Sequence, residues 1–134
     1  MKEIPVAKVL LRNDGGEFLV VKDRASGKWE LPGGKIEQGE DRFEAASREL
    51  EEETCIELDA DEFDEVVRVE VEDREIVNCW ILFAEVPGAV VDLYEEELSG
   101  FQWVTAEDYR TMDWHADAGY GAPAMVYLEE YLKD

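Results

Sequence analysis

Three glutamates in one short stretch have a spacing that suits metal-dependent chemistry. Glu49, Glu52 and Glu53 stand at positions i, i+3 and i+4, so on a helix their carboxylates fall within a sector of about 100° beside the apolar face. Repulsion among three carboxylates is unfavourable unless a positive charge lies between them, and hard divalent cations such as Mg²⁺ prefer oxygen ligands. The spacing indicates either a Mg²⁺ site or a solvated acidic helix face.

Further residues stand in a fixed order around these glutamates. Gly34 is followed after five residues by Glu40, and after seven more by Arg48-Glu49-Leu50-Glu51-Glu52-Glu53-Thr54-Cys55-Ile56. This order resembles the Nudix box, whose pattern is Gly, five residues, Glu, seven residues, then Arg-Glu-aliphatic-x-Glu-Glu-x-Gly-aliphatic. Every fixed position matches except one, because Cys55 stands where the family has glycine. Residues 29–33 and 101–104 also resemble family segments.

The resemblance implies a fold, an activity and a set of site residues. The fold is an α+β, Nudix-type α/β/α sandwich with a mixed sheet, in which the box forms a loop, a helix and a loop. The activity is hydrolysis of a nucleoside diphosphate linked to another group, with Mg²⁺ as cofactor and Mn²⁺ as the alternative. By position, the implied metal site comprises Gly34, Glu49, Glu52 and Glu53, and the implied catalytic residues are Glu40, Arg48, Glu52 and Glu53.

Each implied role has a physical basis. Gly34 would bring the backbone close to the metal, Glu40 would brace the loop, and Arg48 would hold the glutamates in place. Arg48 precedes Glu52 by four residues, a spacing that permits an ion pair on a helix. A carboxylate must accept a proton from the attacking water. Glu52 or Glu53 is the first choice for this base, and Glu96 or Glu97 is the alternative unless their segment is only a solvated loop.

Residues that could bind the substrate lie outside the box. Four basic residues flank the glycines, namely Lys22, Arg24, Lys28 and Lys35. Of these, Arg24, Lys28 and Lys35 are expected to bind a phosphate chain, although chance clustering on an exposed loop is the alternative. The loop residue Glu97 is also expected to contact the substrate. The aromatic residues that could stack on a base, or else pack in the core, are Trp29, Phe101, Trp103, Trp114 and Tyr120. His115 has no second histidine near it and is assigned a structural or surface role.

The elements that must position these residues can be read from local patterns. Residues 6–12 and 17–22 are β-rich runs around Asn13-Asp14-Gly15-Gly16, which predicts a hairpin. Pro32-Gly33-Gly34 is expected to end any regular element. Further strands are predicted over 63–71, 75–86 and 100–104, with a turn at Asp73-Arg74. Strands that are mostly joined by hairpins favour a mixed α+β sheet between helices.

Helix signals are strong around the box. A helix is predicted over 41–54, because Asp41 and Glu44 have the spacing of a capping box and good helix formers follow them. A second capping box at Thr105 and Asp108 predicts a brief helix, and an amphipathic helix is predicted over 122–133. Cys55 is expected to adopt the left-handed conformation just beyond the first helix, which glycine adopts at less cost.

Length and charge limit the function classes. The chain has 134 residues and a formal net charge of −22, since 35 acidic residues face 13 basic ones. Its length indicates one domain over residues 1–134. The charge disfavours binding to nucleic acid or to an anionic membrane, and it suggests a salt-loving host. No apolar run of membrane-spanning length and no signal-peptide pattern is present, so a cytoplasmic location is expected; a homodimer is left open.

The substrate is less well specified than the reaction. Residues 69–73 contain neither the proline of many ADP-ribose-hydrolysing relatives nor the tyrosine of diadenosine polyphosphate hydrolases. A compact MutT-like enzyme acting on nucleoside triphosphates is therefore marginally favoured, with ADP-ribose or another nucleotide sugar as the alternative. Two readings from other classes stay open: a non-catalytic Nudix domain that senses a nucleotide, and an acidic interaction module.

Overall fold

The computed structural model describes residues 2–72 and 75–112. These residues form seven strands: β1 (Glu3–Arg12), β2 (Phe18–Asp23), β3 (Trp29–Glu30), β4 (Gly33–Lys35), β5 (Asp64–Glu72), β6 (Ile76–Glu85) and β7 (Leu98–Val104). They also form the helices α1 (Arg42–Thr54) and α2 (Ala106–Thr111), and a short 3₁₀ helix at Ala60–Glu62. The α+β class is confirmed. The turn at Asp73-Arg74, the helix over 122–133 and residues Trp114, His115 and Tyr120 lie outside the described residues.

Strand β1 is central to a mixed sheet. It pairs in parallel with β6 from Glu3↔Ile76 to Arg12↔Glu85, and on its other edge it pairs antiparallel with β4 and with the start of β2. The predicted hairpin is confirmed, with Arg12 opposite Phe18. Because other strands flank β1 on both edges and both its faces are covered, its sequence is an almost continuous apolar run.

The two faces of the sheet carry different helices. On one face, Ala46 and Leu50 of α1 pack with Val9 and Leu11 of β1. On the other face, the fully buried Tyr109 of α2 packs with core residues that include Leu10, Phe18, Val20 and Ile81. The sheet is therefore covered by a helix on each side, as the α/β/α sandwich requires.

One expectation about the glycine-rich segment is confirmed only in part. Strand β3 ends at Glu30, before Pro32, but a new strand begins at once, because Gly33–Lys35 form β4 and pair with Val6–Lys8. Gly33 has a φ of 138°, and a Cβ there would lie 2.1 Å from the carbonyl oxygen of Ala7. The absence of a side chain lets β4 approach β1 closely, and this long-range pairing cannot be read from a local Pro-Gly-Gly signal.

Helix α1 begins and ends as the sequence predicts. The Asp41 carboxylate accepts a hydrogen bond from the Glu44 N–H at 2.8 Å, and the Glu44 side chain accepts one from the Asp41 N–H at 3.0 Å. Beyond the last turn, Cys55 has φ 61° and ψ 14°, and it is the one non-glycine residue with positive φ in residues 2–72 and 75–112. The capping box and the left-handed conformation of Cys55 are confirmed. No helix in the described part is long and apolar enough to cross a membrane.

Candidate active site

The three glutamates of α1 differ in burial. The side chain of Glu52 is 58% exposed, that of Glu49 is 17% exposed, and Glu53 as a residue is only 6% exposed. The expectation that all three lie beside the apolar face is thus wrong for Glu53, which is buried. The cause is β4, whose Gly33 N–H donates to Oε1 of Glu53 at 2.8 Å. This hydrogen bond satisfies a carboxylate that the sheet covers.

Burial changes the protonation of two of these carboxyl groups. Burial raises the pKa of Glu53 to about 8, against the opposing effects of the Lys8 charge and the Gly33 N–H. Burial also raises the pKa of Glu49, while its hydrogen bond with Arg48 lowers it. A carboxyl group that keeps its proton near neutral pH would have to lose it before it could ligate a cation.

Arg48 connects the loop before α1 to the glutamates on the helix. Its Nη1 donates to Glu49 at 3.0 Å and to Glu52 at 3.2 Å, and Nη2 donates to the Lys35 carbonyl at 3.0 Å. Nε and Nη2 both donate to the carboxylate of Glu40. The guanidinium thus uses its planar array of donors to hold three carboxylates at once, as the ion-pair spacing suggested.

Gly34 leaves room for Glu49. A Cβ at position 34 would lie 2.7 Å from Cδ of Glu49 and within 2.9 Å of both carboxylate oxygens. The carboxylate therefore occupies the volume that a side chain at position 34 would fill. This contact accounts for a glycine at the first fixed position of the motif.

A cavity of about 390 Å³ joins the helix to a distant loop. It is lined by Glu49, Glu52, Glu53, Tyr94 and Glu97. The loop is anchored to the end of α1 by main-chain hydrogen bonds, from the N–H of Asp92 to the Thr54 carbonyl and from the N–H of Tyr94 to the Glu53 carbonyl. Glu97 is thereby placed on the same cavity as the helix glutamates.

The structure separates the residues that were predicted to bind substrate. Glu97 lines the cavity, whereas Glu96 accepts a hydrogen bond from the Tyr94 hydroxyl and is not among the described lining residues. Arg24 donates from Nε to the Glu95 carbonyl at 2.6 Å and from Nη2 to the Leu98 carbonyl at 3.4 Å, so it supports the loop.

The remaining predicted substrate-binding residues stand apart from the cavity. Lys35 is exposed and Lys28 is half-buried, and neither is among the cavity's described lining residues. The half-buried Trp29 and Trp103 pack against the core, one on each face of the sheet. This agrees with core packing, the alternative to base stacking. Phe101 is 42% exposed.

Two residues beside the site were missed by sequence reasoning. Tyr94 lines the cavity, but no motif marks it. Lys8 lies in β1, is only 5% exposed, and donates from Nζ to the carbonyl oxygens of Leu31 and Gly33. The signal for Lys8 was a single lysine within an otherwise apolar run, because a lysine is almost never fully buried without partners.

The carboxylates fit a hard divalent cation by chemistry, since four glutamates offer only oxygen donors to one cavity. They are not gathered into a ready-made cage. Within residues 2–72 and 75–112, no three Asp, Glu, His or Cys side chains stand close enough together to hold an ion. Arg48 and the Gly33 N–H engage these carboxylates instead. Arg48 contacts one oxygen of each helix carboxylate, Oε1 of Glu49 and Oε2 of Glu52, so a cation there would share these carboxylates with Arg48.

The chain belongs to the Nudix family. The family model described as the NUDIX domain matches residues 2–122. The resemblance noted in the sequence is therefore confirmed. Nudix hydrolases cleave pyrophosphate bonds in compounds that contain a nucleoside diphosphate, and they generally use a divalent metal. The chain is a hydrolase of this class.

Named relatives share sequence and fold with the chain. It is 35% identical to the 8-oxo-dGTP diphosphatase of Escherichia coli strain K12 over 89 residues. This match covers 63% of this chain and 68% of that protein. It is 32% identical over 112 residues to the CTP pyrophosphohydrolase of the same organism, covering 81% of this chain and 80% of that protein. The crystal structure of the MutT protein from Methanosarcina mazei Go1 superposes with a TM-score of 0.79 at 29% identity, over 97% of this chain and 93% of that one.

Proposed function

We propose that this Nudix hydrolase is a Mg²⁺-dependent pyrophosphohydrolase of nucleoside triphosphates, with Mn²⁺ as the alternative metal. The observation that carries the proposal is the cavity on which Glu49, Glu52, Glu53 and Glu97 meet. A hard divalent cation held by these carboxylates would offer positive charge to the phosphate groups of a nucleotide. Relatives named for 8-oxo-dGTP and CTP support triphosphates as the substrate class.

The metal would be held by the carboxylates of Glu49, Glu52 and Glu53, beside the backbone of Gly34. When bound, it would offset charge on the phosphate oxygens and lower the pKa of a bound water. Arg48 orients the ligands from behind, because its guanidinium contacts both Glu49 and Glu52. Metal-ligating carboxylates that are hydrogen-bonded in this way are oriented before a metal arrives.

Glu97 is the proposed proton acceptor. Glu53 is buried and accepts a hydrogen bond from the Gly33 N–H, and Glu52 accepts one from Arg48. Glu97, in contrast, lines the cavity from the loop. In the reaction, the oxygen of a water molecule bonds to a phosphorus of the triphosphate and the bridging P–O bond breaks, so that a nucleoside monophosphate forms and pyrophosphate leaves with the bridging oxygen. One proton of that water passes to the Glu97 carboxylate.

The experiment separates the nucleotide products by chromatography after incubation of nucleoside triphosphates, 8-oxo-dGTP and ADP-ribose, each with Mg²⁺, Mn²⁺ or EDTA, because ADP-ribose would yield AMP and ribose 5-phosphate and no pyrophosphate. We expect turnover of triphosphates that requires the metal. Preference for ADP-ribose would replace the proposed substrate class and keep the metal site. Absence of turnover with every nucleotide, together with nucleotide binding in calorimetry, would instead favour a non-catalytic sensing domain.

Variants of the cavity glutamates test the assigned roles. Glu52→Gln and Glu53→Gln should each lower kcat by about two orders of magnitude or more, since each removes charge from the metal site. Glu97→Gln should lower kcat by a factor of about 10² to 10⁴, as loss of a general base does. Glu96→Gln is the matched control and should stay close to wild type. If Glu96→Gln and Glu97→Gln behave alike, Glu97 is not the base.

A further inference from the structure

Lys8 is a buried cation of β1 that lies beside β4. It shares a face of β1 with the core residues Val6 and Leu10, and its Nζ donates to the carbonyl oxygens of Leu31 at 3.1 Å and Gly33 at 3.3 Å. A buried ammonium group is costly unless hydrogen bonds and opposite charges compensate it. The carbonyl oxygens of Leu31 and Gly33 supply the hydrogen bonds, and the Glu30 carboxylate supplies an opposite charge.

An acidic side chain of β3 lies close to this ammonium group. Nζ of Lys8 lies 4.0 Å from Oε2 of Glu30, whose side chain is 16% exposed. Its charge also acts on Glu49 and Glu53 of α1, where it lowers the pKa of both carboxyl groups against the effect of burial. The ammonium group therefore lies near the Glu30 carboxylate, and the Gly33 backbone connects it to Glu53.

Gly33 links Lys8 to Glu53. The Gly33 carbonyl accepts from Lys8 Nζ, and the Gly33 N–H donates to Glu53 Oε1 at 2.8 Å. This glycine cannot be moved aside easily, because its backbone packs against Ala7 and Lys8 themselves. The ammonium group and the buried carboxylate are thus held at a fixed separation by the β1–β4 pairing.

We propose that Lys8 is a positioning residue that serves as a built-in counterion of the carboxylate site, so that the metal-free chain is stabilised and Mg²⁺ binds less tightly than these carboxylates alone would allow. The inference rests on the proposed metal site. Binding of Mg²⁺ adds positive charge to the site even if one proton is released in exchange. The fixed positive charge of Lys8 opposes this added positive charge, so removal of the Lys8 charge favours Mg²⁺ binding.

The test compares melting temperatures in EDTA and in saturating Mg²⁺, at matched ionic strength, for wild type, Lys8→Met and Leu10→Ala. Lys8→Met keeps an unbranched apolar stem without the charge, and Leu10→Ala removes packing from the same strand and face. We expect Lys8→Met to melt lower in EDTA and to gain more from Mg²⁺ than wild type does. Leu10→Ala should melt lower by a similar amount under both conditions. By calorimetry, Mg²⁺ should bind Lys8→Met about tenfold more tightly.

Each other outcome has a defined meaning. An equal gain from Mg²⁺ in wild type and Lys8→Met would show that Lys8 contributes packing alone, and a smaller gain would show that it helps to assemble the ligands; both overturn the proposal. If wild type gains nothing from Mg²⁺, the proposed metal site itself fails. Lys8→Gln, which keeps a donor for the Leu31 carbonyl, carries the same expectation if Lys8→Met does not fold in EDTA.

Discussion

Arg48 donates two hydrogen bonds to the Glu40 carboxylate, from Nε to Oε2 at 3.1 Å and from Nη2 to Oε1 at 2.7 Å. This hydrogen bonding with Arg48 lowers the pKa of the Glu40 carboxyl group. Because a two-point contact fixes the plane of the guanidinium, it also directs Nη1 towards Glu49 and Glu52. Glu40 therefore acts on the site through Arg48 and does not itself line the cavity.

Removing the charge of Glu40 should weaken metal binding or catalysis without unfolding the chain. We expect Glu40→Gln to lower apparent Mg²⁺ affinity or kcat by about 10-fold to 100-fold, the usual effect of losing a partner that orients metal ligands. Glu37→Gln is the control, because the Glu37 carboxylate lies 3.7 Å from Nη1 of Arg48 and its side chain is 67% exposed. Mg²⁺ titrations of both variants check this, and equal losses would contradict the assigned role of Glu40.

Replacing Gly33 or Gly34 by alanine should affect different properties, folding in the first case and activity in the second. Gly34→Ala pushes against the flexible end of Glu49, so we expect a lower kcat with only a small change in melting temperature. Gly33→Ala places a Cβ on the backbone of β1 at a φ of 138°, so it should abolish folding or lower the melting temperature severely. Thermal melts and kinetics separate the two. Full activity in Gly34→Ala would show that Glu49 is not needed where it lies.

The buried carboxyl group of Glu53 should make metal-free stability depend on pH. Since burial raises the pKa of Glu53 from 4.5 to about 8, the folded chain binds its proton more tightly than the unfolded chain does. The stabilisation is complete below the unfolded pKa and is lost as pH rises through about 8. We expect the free energy of unfolding of wild type to fall relative to that of Glu53→Gln across this range, measured by urea melts in EDTA. A difference that does not change with pH would refute the raised pKa.

Replacing Cys55 with the glycine that the family has at this position should stabilise the chain. A non-glycine residue in the left-handed conformation costs about 1 kcal/mol, and Cys55 is exposed, so little packing is lost. We expect Cys55→Gly to raise the free energy of unfolding by up to about 1 kcal/mol with nearly unchanged activity. Cys55→Ala keeps the Cβ and should show no such gain. Loss of stability in Cys55→Gly would show that the thiol packs usefully.

Salt should stabilise a chain with a net charge of −22. Self-repulsion opposes the compact state, and the screening length falls from about 8 Å at physiological ionic strength to about 3 Å at 1 M. We expect the melting temperature to climb steadily as KCl rises to molar concentrations at constant Mg²⁺, with activity retained. A flat or falling melting temperature would contradict adaptation to high salt and leave the enzyme class untouched.

Local signals predicted the elements whose causes are local. The bounds of α1, its capping box and the left-handed Cys55 all follow from residues within a few positions of one another. The box also predicted that Arg48 would contact Glu52, because an i, i+4 pair on a helix needs no knowledge of the rest of the chain. These parts of the fold and site were available from the sequence.

Features that depend on distant pairing were not available. The burial of Glu53 and the strand at Gly33–Lys35 both require β4 to lie against β1 and α1. Arg24 was expected to bind phosphate because of its charge, but it contacts a carbonyl 71 residues away. Lys8 lies in a run whose pattern predicted only one strand of a hairpin. Its partners come from the segment that includes Glu30, Leu31 and Gly33.

The loop that carries Glu97 is fastened by main-chain atoms. The N–H groups of Asp92 and Tyr94 reach the carbonyls that end α1, and Arg24 reaches the carbonyls of Glu95 and Leu98. None of these attachments uses the side chains at positions 95 to 97. A combinatorial library at positions 95 and 96 would retain the path of the loop and keep Glu97, the proposed base, while replacing the side chains that precede it. Redesign of substrate choice could therefore begin here without disturbing α1.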